Sequence, residues 1–293
     1  MKIRFGVGLA GETAPDALPG LVDRLEELGI DSLWFSELVY SKAVDPFVGM
    51  AFALARTTRL KVGTSVVVLP GRHPVLVAKQ LASLAALAPK RVLPVFGLRS
   101  AIATERELFV VPEGRRAAVF DESLRLLRAA LQPDGERFEG ELFSVSSPQV
   151  QPRLARPLDI WLGGSAPAGL RRIGRLADGW LGSFVTPDEA RRAVQLIQES
   201  AAEAGREIEA DHFGINLAVS EGGLGEDLRA AVRSRRPDVD PADLVADGWP
   251  ALHRLVDEFT AAGLSKFVVR PAGGSDLDGF VERFAAELLP REN

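Results

Sequence analysis

Four short groups of polar and glycine residues interrupt the apolar runs of this chain, and each is of a type that binds or activates ligands. Gly163-Gly164-Ser165 stands between an apolar run and a helix-forming stretch. Glycines let a backbone come close to a ligand, and the first turn of a helix presents N–H groups and a positive dipole end, which together suit a phosphate. The same three residues also make an ordinary tight turn in which Ser165 caps the helix. Glu37 follows the apolar run Asp31 to Ser36, where a carboxylate is costly unless it faces an open mouth, a helix N-terminus or a polar ligand. Ser65 lies inside the valine-rich stretch Lys61 to Leu69, and its hydroxyl either touches a ligand or is satisfied by a backbone carbonyl. Arg72 and His73, held between Pro70 and Pro74, either meet an anionic group or simply pack a loop.

Other chemistries are excluded by composition. With no cysteine there is no disulfide, thiolate nucleophile or cysteine-ligated metal. His212 and His253 lack metal-ligand spacing to a carboxylate or to each other, so no metal is assigned. No Gly-x-Ser-x-Gly elbow accompanies a histidine and an acid, which leaves serine hydrolysis without support. A net charge of -5 with no basic stripe argues against nucleic acid and for a small-molecule substrate. No apolar run approaches the roughly 20 residues of a membrane span, and Met1-Lys2-Ile3-Arg4 leads into strand-like sequence, so a cytoplasmic enzyme is expected. A cofactor that carries the reactivity itself fits what is left.

The elements that must position these residues alternate. Ile3 to Leu9 reads as a buried strand, a helical pattern follows from Pro15 and closes at Gly29, and the unit then repeats. Strands are expected at Asp31–Ser36, Lys61–Leu69, Val92–Gly97, Leu158–Leu162, Gly179–Phe184, Phe213–Val219 and Lys266–Arg270. Helices separate them, those between Leu224 and Ala262 being broken near Pro237, Pro241 and Pro250. About eight pairs over 1–293 predict one α/β domain, a (β/α)8 TIM barrel. The helical period lapses between Gln132 and Pro157, which is expected to be an inserted loop or hairpin after the fourth helix. A doubly wound open sheet is the rival, but Gly8-Leu9-Ala10-Gly11 lacks the spacing of a dinucleotide fingerprint. In a barrel the site forms where strands stop: Gly8, Glu37, Ser65 and Val66, Gly97-Leu98-Arg99, and Gly163-Gly164-Ser165.

Five blocks in this order resemble the luciferase-like flavin monooxygenases and their relatives that use the deazaflavin coenzyme F420. They are Leu28-Gly29-Ile30-Asp31-Ser32-Leu33-Trp34 with Glu37; Arg59 to Thr64; Arg72-His73-Pro74 followed by Ala78-Lys79-Gln80; Pro157 to Gly164; and Ala177-Asp178-Gly179-Trp180. The resemblance implies a tricyclic cofactor over the strand ends, its phosphate near Gly163, Gly164 and Ser165, and a non-proline cis peptide at Ser65–Val66 supporting the ring. Gly63-Thr64-Ser65-Val66 and Pro94-Val95-Phe96-Gly97-Leu98 look more like the F420 branch than the FMN branch. Hydride transfer between F420 and a small substrate is therefore implied, with Glu37 positioning the cofactor or relaying a proton. FMN with oxygen and a flavin reductase partner is the alternative, and a ligand-binding barrel without turnover is the second. Two departures limit the mechanism. Leu38 stands where many deazaflavin relatives have a histidine, and Arg99-Ser100 replace the glutamate of the family's sugar-phosphate dehydrogenases. A homodimer is expected, built on apolar residues of the first helices.

Overall fold

A computed structural model describes residues 2–9, 11–134, 137–272 and 276–293. Strands and helices alternate along it: β1 (Arg4–Gly8), α1 (Leu18–Leu28), β2 (Ser32–Phe35), α2 (Pro46–Arg56), β3 (Lys61–Thr64), β4 (Val67–Val68), α3 (Pro74–Leu87), β5 (Val92–Leu93), β6 (Val95–Gly97) and α4 (Arg116–Leu131). A small antiparallel hairpin, β7 (Phe138–Glu139) with β8 (Ser144–Val145), follows. The alternation then resumes with β9 (Trp161–Gly163), α5 (Pro167–Leu176), β10 (Gly179–Ser183), α6 (Pro187–Glu203), β11 (Phe213–Ser220), α7 (Glu226–Arg235), β12 (Val245–Asp247), α8 (Trp249–Ala261), β13 (Lys266–Pro271) and α9 (Leu277–Leu288).

Apart from the hairpin, every strand pairing is parallel, in the order β4-β6-β9-β10-β11-β13-β1-β2-β3-β5 with β12 beside β11. This parallel sheet curls. The run 61–68 is interrupted at Ser65–Val66 and the run 92–97 at Pro94, so each contributes two short strands. Val62 pairs with Val92 at one level and Val67 with Phe96 at the next. Proline has no N–H to give a ladder, which is why the expected single strand across Pro94 divides there.

Side chains alternate across the sheet. Phe5, Val7, Leu33, Phe35, Phe96, Ile215, Val219, Phe267 and Val269 belong to the large outer core shared with the helices. Trp34, Val95, Trp161, Leu181 and Val268 form a second cluster on the inner face. The two indoles fit because glycines face them: a side chain on Gly63 would begin 2.5 Å from the Trp34 ring, and one on Gly179 would run into that of Trp161.

Two readings change in the stretch after Leu224, and the hairpin alternative for 132–157 is the one seen. The stretch after Leu224 holds an added strand, β12, and Pro250 lies in the first turn of α8, where its missing N–H is harmless, instead of breaking a helix. In 132–157 the described residues hold the β7–β8 hairpin, whose turn is organised by the buried Glu122 of α4 accepting N–H bonds from Glu141, Leu142 and Phe143. Residues 135 and 136 of that stretch, and Met1 and Ala10 in the N-terminal reading, lie outside the described residues. Among the described residues no helix is long and apolar enough to cross a membrane.

Candidate functional site

Two residues beyond the inner cluster, at the C-terminal ends of the strands, the same face carries Gly8, Ser36, Ser65, Gly97, Gly163, Ser183 and Arg270. The glycines and serines of this layer make a small-residue floor above the tightly packed inner cluster, with Arg270 at its edge, outside the part that would support a flat ring.

Its centre is the peptide Ser65–Val66, which is cis. Ser36 Oγ donates to the Ser65 carbonyl at 3.0 Å, and the Ser65 hydroxyl donates to Oδ1 of Asn216 at 2.8 Å. Asn216 in turn donates from Nδ2 to the Gly182 carbonyl at 3.2 Å, so one chain of hydrogen bonds crosses the floor from β2 to β10. Val66 is wedged between two glycines. A Cβ on Gly97 would stand 2.6 Å from Val66 Cγ2, and one on Gly163 2.8 Å from Cγ1.

Glu37 sits behind this floor. Its side chain is 4% exposed, and both carboxylate oxygens are committed: Oε2 accepts the Val68 N–H at 2.8 Å and Oε1 pairs with the Arg72 guanidinium. Its own N–H donates to the Val66 carbonyl at 3.2 Å. Burial pushes the Glu37 carboxyl above the ordinary glutamate value, against the downward pull of the Val68 N–H and Arg72, with Asp45 adding to the rise. Arg72 also donates to the Val68 carbonyl and lies over the Phe109 ring. Glu37 and Arg72 together fasten the segment that follows the cis bond.

Gly163-Gly164-Ser165 leads into α5, whose N-cap is Ala166 with no capping side chain. Ser165 therefore does not cap the helix and remains exposed beside an open first turn. Gly164 takes φ +115°, a conformation for which glycine is the natural choice, and its carbonyl accepts the Trp180 indole N–H at 2.8 Å. Leu98 and Arg99 are exposed just past Gly97, and the buried Ser100 hydroxyl donates to Glu105 at 2.8 Å. The exposed hydroxyl and backbone of 164–165, the helix end and the small-residue floor suit a phosphate joined to a planar ring.

A family profile described as luciferase-like monooxygenase matches residues 1–258. The chain belongs to that family. An uncharacterised protein of Mycobacterium tuberculosis (strain ATCC 25618 / H37Rv) is 37% identical over 163 residues, which span 56% of this chain and 56% of that relative. The F420-dependent glucose-6-phosphate dehydrogenase of Kineococcus radiotolerans is 24% identical over 96% of this chain and 94% of its own. Among solved structures, an F420-dependent secondary alcohol dehydrogenase in complex with an F420-acetone adduct superposes with a TM-score of 0.83 at 18% identity, covering 100% of both chains.

Within this luciferase-like chain, residues 8, 65, 66, 97 and 163 share the floor, 164 and 165 border it, and 98 and 99 lie at its rim. Three inward residues escaped the sequence reading: Ser183, a hydroxyl near the end of the run Gly179–Phe184, Asn216, an amide inside the apolar run Phe213–Val219, and Arg270, a cation closing the last strand. Such interruptions of apolar runs were the available signal. At the opposite strand ends lies a cavity of about 660 Å³ floored by Trp34 and Trp161. Its inner cations Lys61 and Lys266 are already matched by Asp31, at 2.6 and 2.9 Å. Glu209, Asp211 and His212 converge nearby, although Glu209 is mostly exposed.

Proposed function

We propose that this chain is an F420-dependent oxidoreductase that moves a hydride between the deazaflavin and a small organic substrate at the mouth of a closed (β/α)8 barrel. In this reading 132–157 is an insertion after α4. The observation that carries it is the floor of Gly8, Ser65, Val66, Gly97 and Gly163 beside the uncapped start of α5. The activities of the F420-dependent relative and structural neighbour support it.

Bound there, the deazaflavin would supply a ring carbon that gives or takes a hydride. The chain's own residues bind and orient. Ser165, the N–H groups at 164–165 and the α5 terminus hold the phosphate. Val66, fixed by Gly97 and Gly163, supports the ring face, and Asn216 fixes the Ser65 hydroxyl. Glu37 acts as a positioning residue, since its 4% exposed side chain spends an oxygen each on the Val68 N–H and on Arg72 behind the floor. Leu98 and Arg99 edge the substrate side.

Titration with F420 and with FMN, followed by anaerobic reduction, tests the reading. Saturable F420 binding and bleaching of its visible band are expected. FMN binding without F420 binding would replace it by an oxygen-consuming monooxygenase supplied by a flavin reductase. Binding of neither would make the chain a barrel without turnover. A homodimer through α2 and α3 completes the proposal, because Val48, Leu76 and Leu87 are 63%, 67% and 83% exposed. Light scattering at a single monomeric mass would refute the dimer.

A further inference from the structure

Strand alternation that brings Val268 into the inner cluster carries Arg270 to the mouth on the same face. Its Cβ lies 3.4 Å from the place a Gly8 side chain would take, so the stem rises beside β1. Among the described residues the Arg270 side chain has no hydrogen bond and no ion pair, although its backbone is part of the β11–β13 ladder. The other enclosed arginines differ. Arg72 meets Glu37, Arg91 the Leu60 carbonyl, Arg128 and Arg206 Asp178, and Arg236 Glu189.

The charge nearest in effect to Arg270 is another cation, Arg235 at the end of α7, whose guanidinium lies 5.0 Å from the Phe184 ring centroid. Burial and this like charge both hold the Arg270 pKa below the ordinary arginine value, yet a guanidinium does not lose its proton at neutral pH. A half-buried guanidinium without an acid to pair with, and with another cation as its strongest charged neighbour, is left wanting an anion. Guanidinium forks match carboxylate and phosphate oxygens two at a time. The place is also separate from the phosphate cradle, since β10 and β11 lie between β9 and β13 in the sheet.

We propose that Arg270, flanked by Arg235, is the anion-recognising residue of the substrate pocket, and that the substrate is a small organic anion bearing a carboxylate or phosphate. This rests on the mouth being the active site. Inorganic phosphate and acetate, titrated calorimetrically into the protein alone and into protein saturated with F420, are the probes. At least one should bind saturably in both forms. Arg270→Gln should weaken it about tenfold or more, the loss of a charged hydrogen bond, and Arg270→Lys by less. F420 affinity should stay within about twofold and the melting temperature should not fall, because a half-buried charge without a counter-ion has been removed.

Anion binding that is absent, or unchanged in Arg270→Gln, overturns the proposal. So does anion binding that vanishes on F420 loading while Arg270→Gln weakens F420, since the anion is then the cofactor's own phosphate. If F420 fails to bind but Arg270-dependent anion binding persists, the cofactor reading falls and the anion site stands. If Arg270→Gln does not fold, Arg270→Lys alone decides: unchanged anion affinity in it sinks the assignment.

Discussion

Gly97→Ala tests whether Val66 is held as the structure shows. The added methyl would stand 2.6 Å from Val66 Cγ2, about 0.8 Å inside the 3.4 Å limit of ordinary contact. Val66 cannot retreat across the floor, because Gly163 meets its other methyl, where a Cβ would stand only 2.8 Å from Cγ1. Its backbone is tethered as well, with the carbonyl accepting the Glu37 N–H and Val68 bonded to the Glu37 carboxylate. Overpacking of this kind costs about 1–3 kcal/mol. For a chain of 293 residues each kcal/mol lowers the melting temperature by roughly 1.5–2 °C, so thermal unfolding without cofactor should show a fall of about 2–6 °C. Relief of the clash pushes Val66 toward the mouth, so affinity for the ring should fall too, read by fluorescence titration with F420. The control is the same substitution made in Val66→Ala, where both methyls are gone and the penalty should shrink below about 0.5 kcal/mol. An equal penalty in both backgrounds, or none in the wild type, refutes the wedge.

Glu37→Gln keeps the shape but leaves Arg72 without its carboxylate; a loss of about 1–3 kcal/mol in unfolding free energy and weaker F420 binding are expected. Unchanged stability, affinity and turnover would remove Glu37 from any positioning role. Asp31→Asn should cost about 3–5 kcal/mol in denaturant unfolding, because it strands the buried Lys266 ammonium, and Asp31→Asn with Lys266→Met should recover most of it. Full cost in the double variant would contradict this. Glu26 sets an acid limb: burial raises its carboxyl, but N–H bonds from Thr58, Leu60 and Arg59 and the Thr58 hydroxyl outweigh it, leaving a pKa of about 2 against 4.5. A depressed pKa gives stability that is fully present above about 4.5 and fades as pH falls towards about 2, at most ~3 kcal/mol. Unfolding of Glu26→Gln should therefore differ from wild type at neutral pH and converge with it in acid; a constant gap would exclude the linkage.

The alternation of strands and helices was legible because it is local. An apolar run followed by a 3.6-residue period and a glycine specifies its own element, as Leu18–Leu28 ending at Gly29 does. Boundaries slipped where one residue's chemistry outweighed the run, as at Pro94 and at the cis bond that divides β3 from β4. The strand 245–247 was hidden because three residues carry no period of their own and pair only with β11.

The site divides in the same way. The sequence by itself determined which residues end the strands, and so placed glycines and serines at one mouth; strand polarity alone does this once a parallel sheet is accepted. Only the tertiary structure decided what each of them meets. Ser65 reaches Asn216 across 151 positions of chain, Glu37 spends both oxygens on Val68 and Arg72, and Val66 rests between glycines from two other strands. Arg270 is the sharpest case. Its letter is one arginine among many, and its meaning lies in having no acid beside it, a property of the surrounding packing that no local stretch of chain can encode.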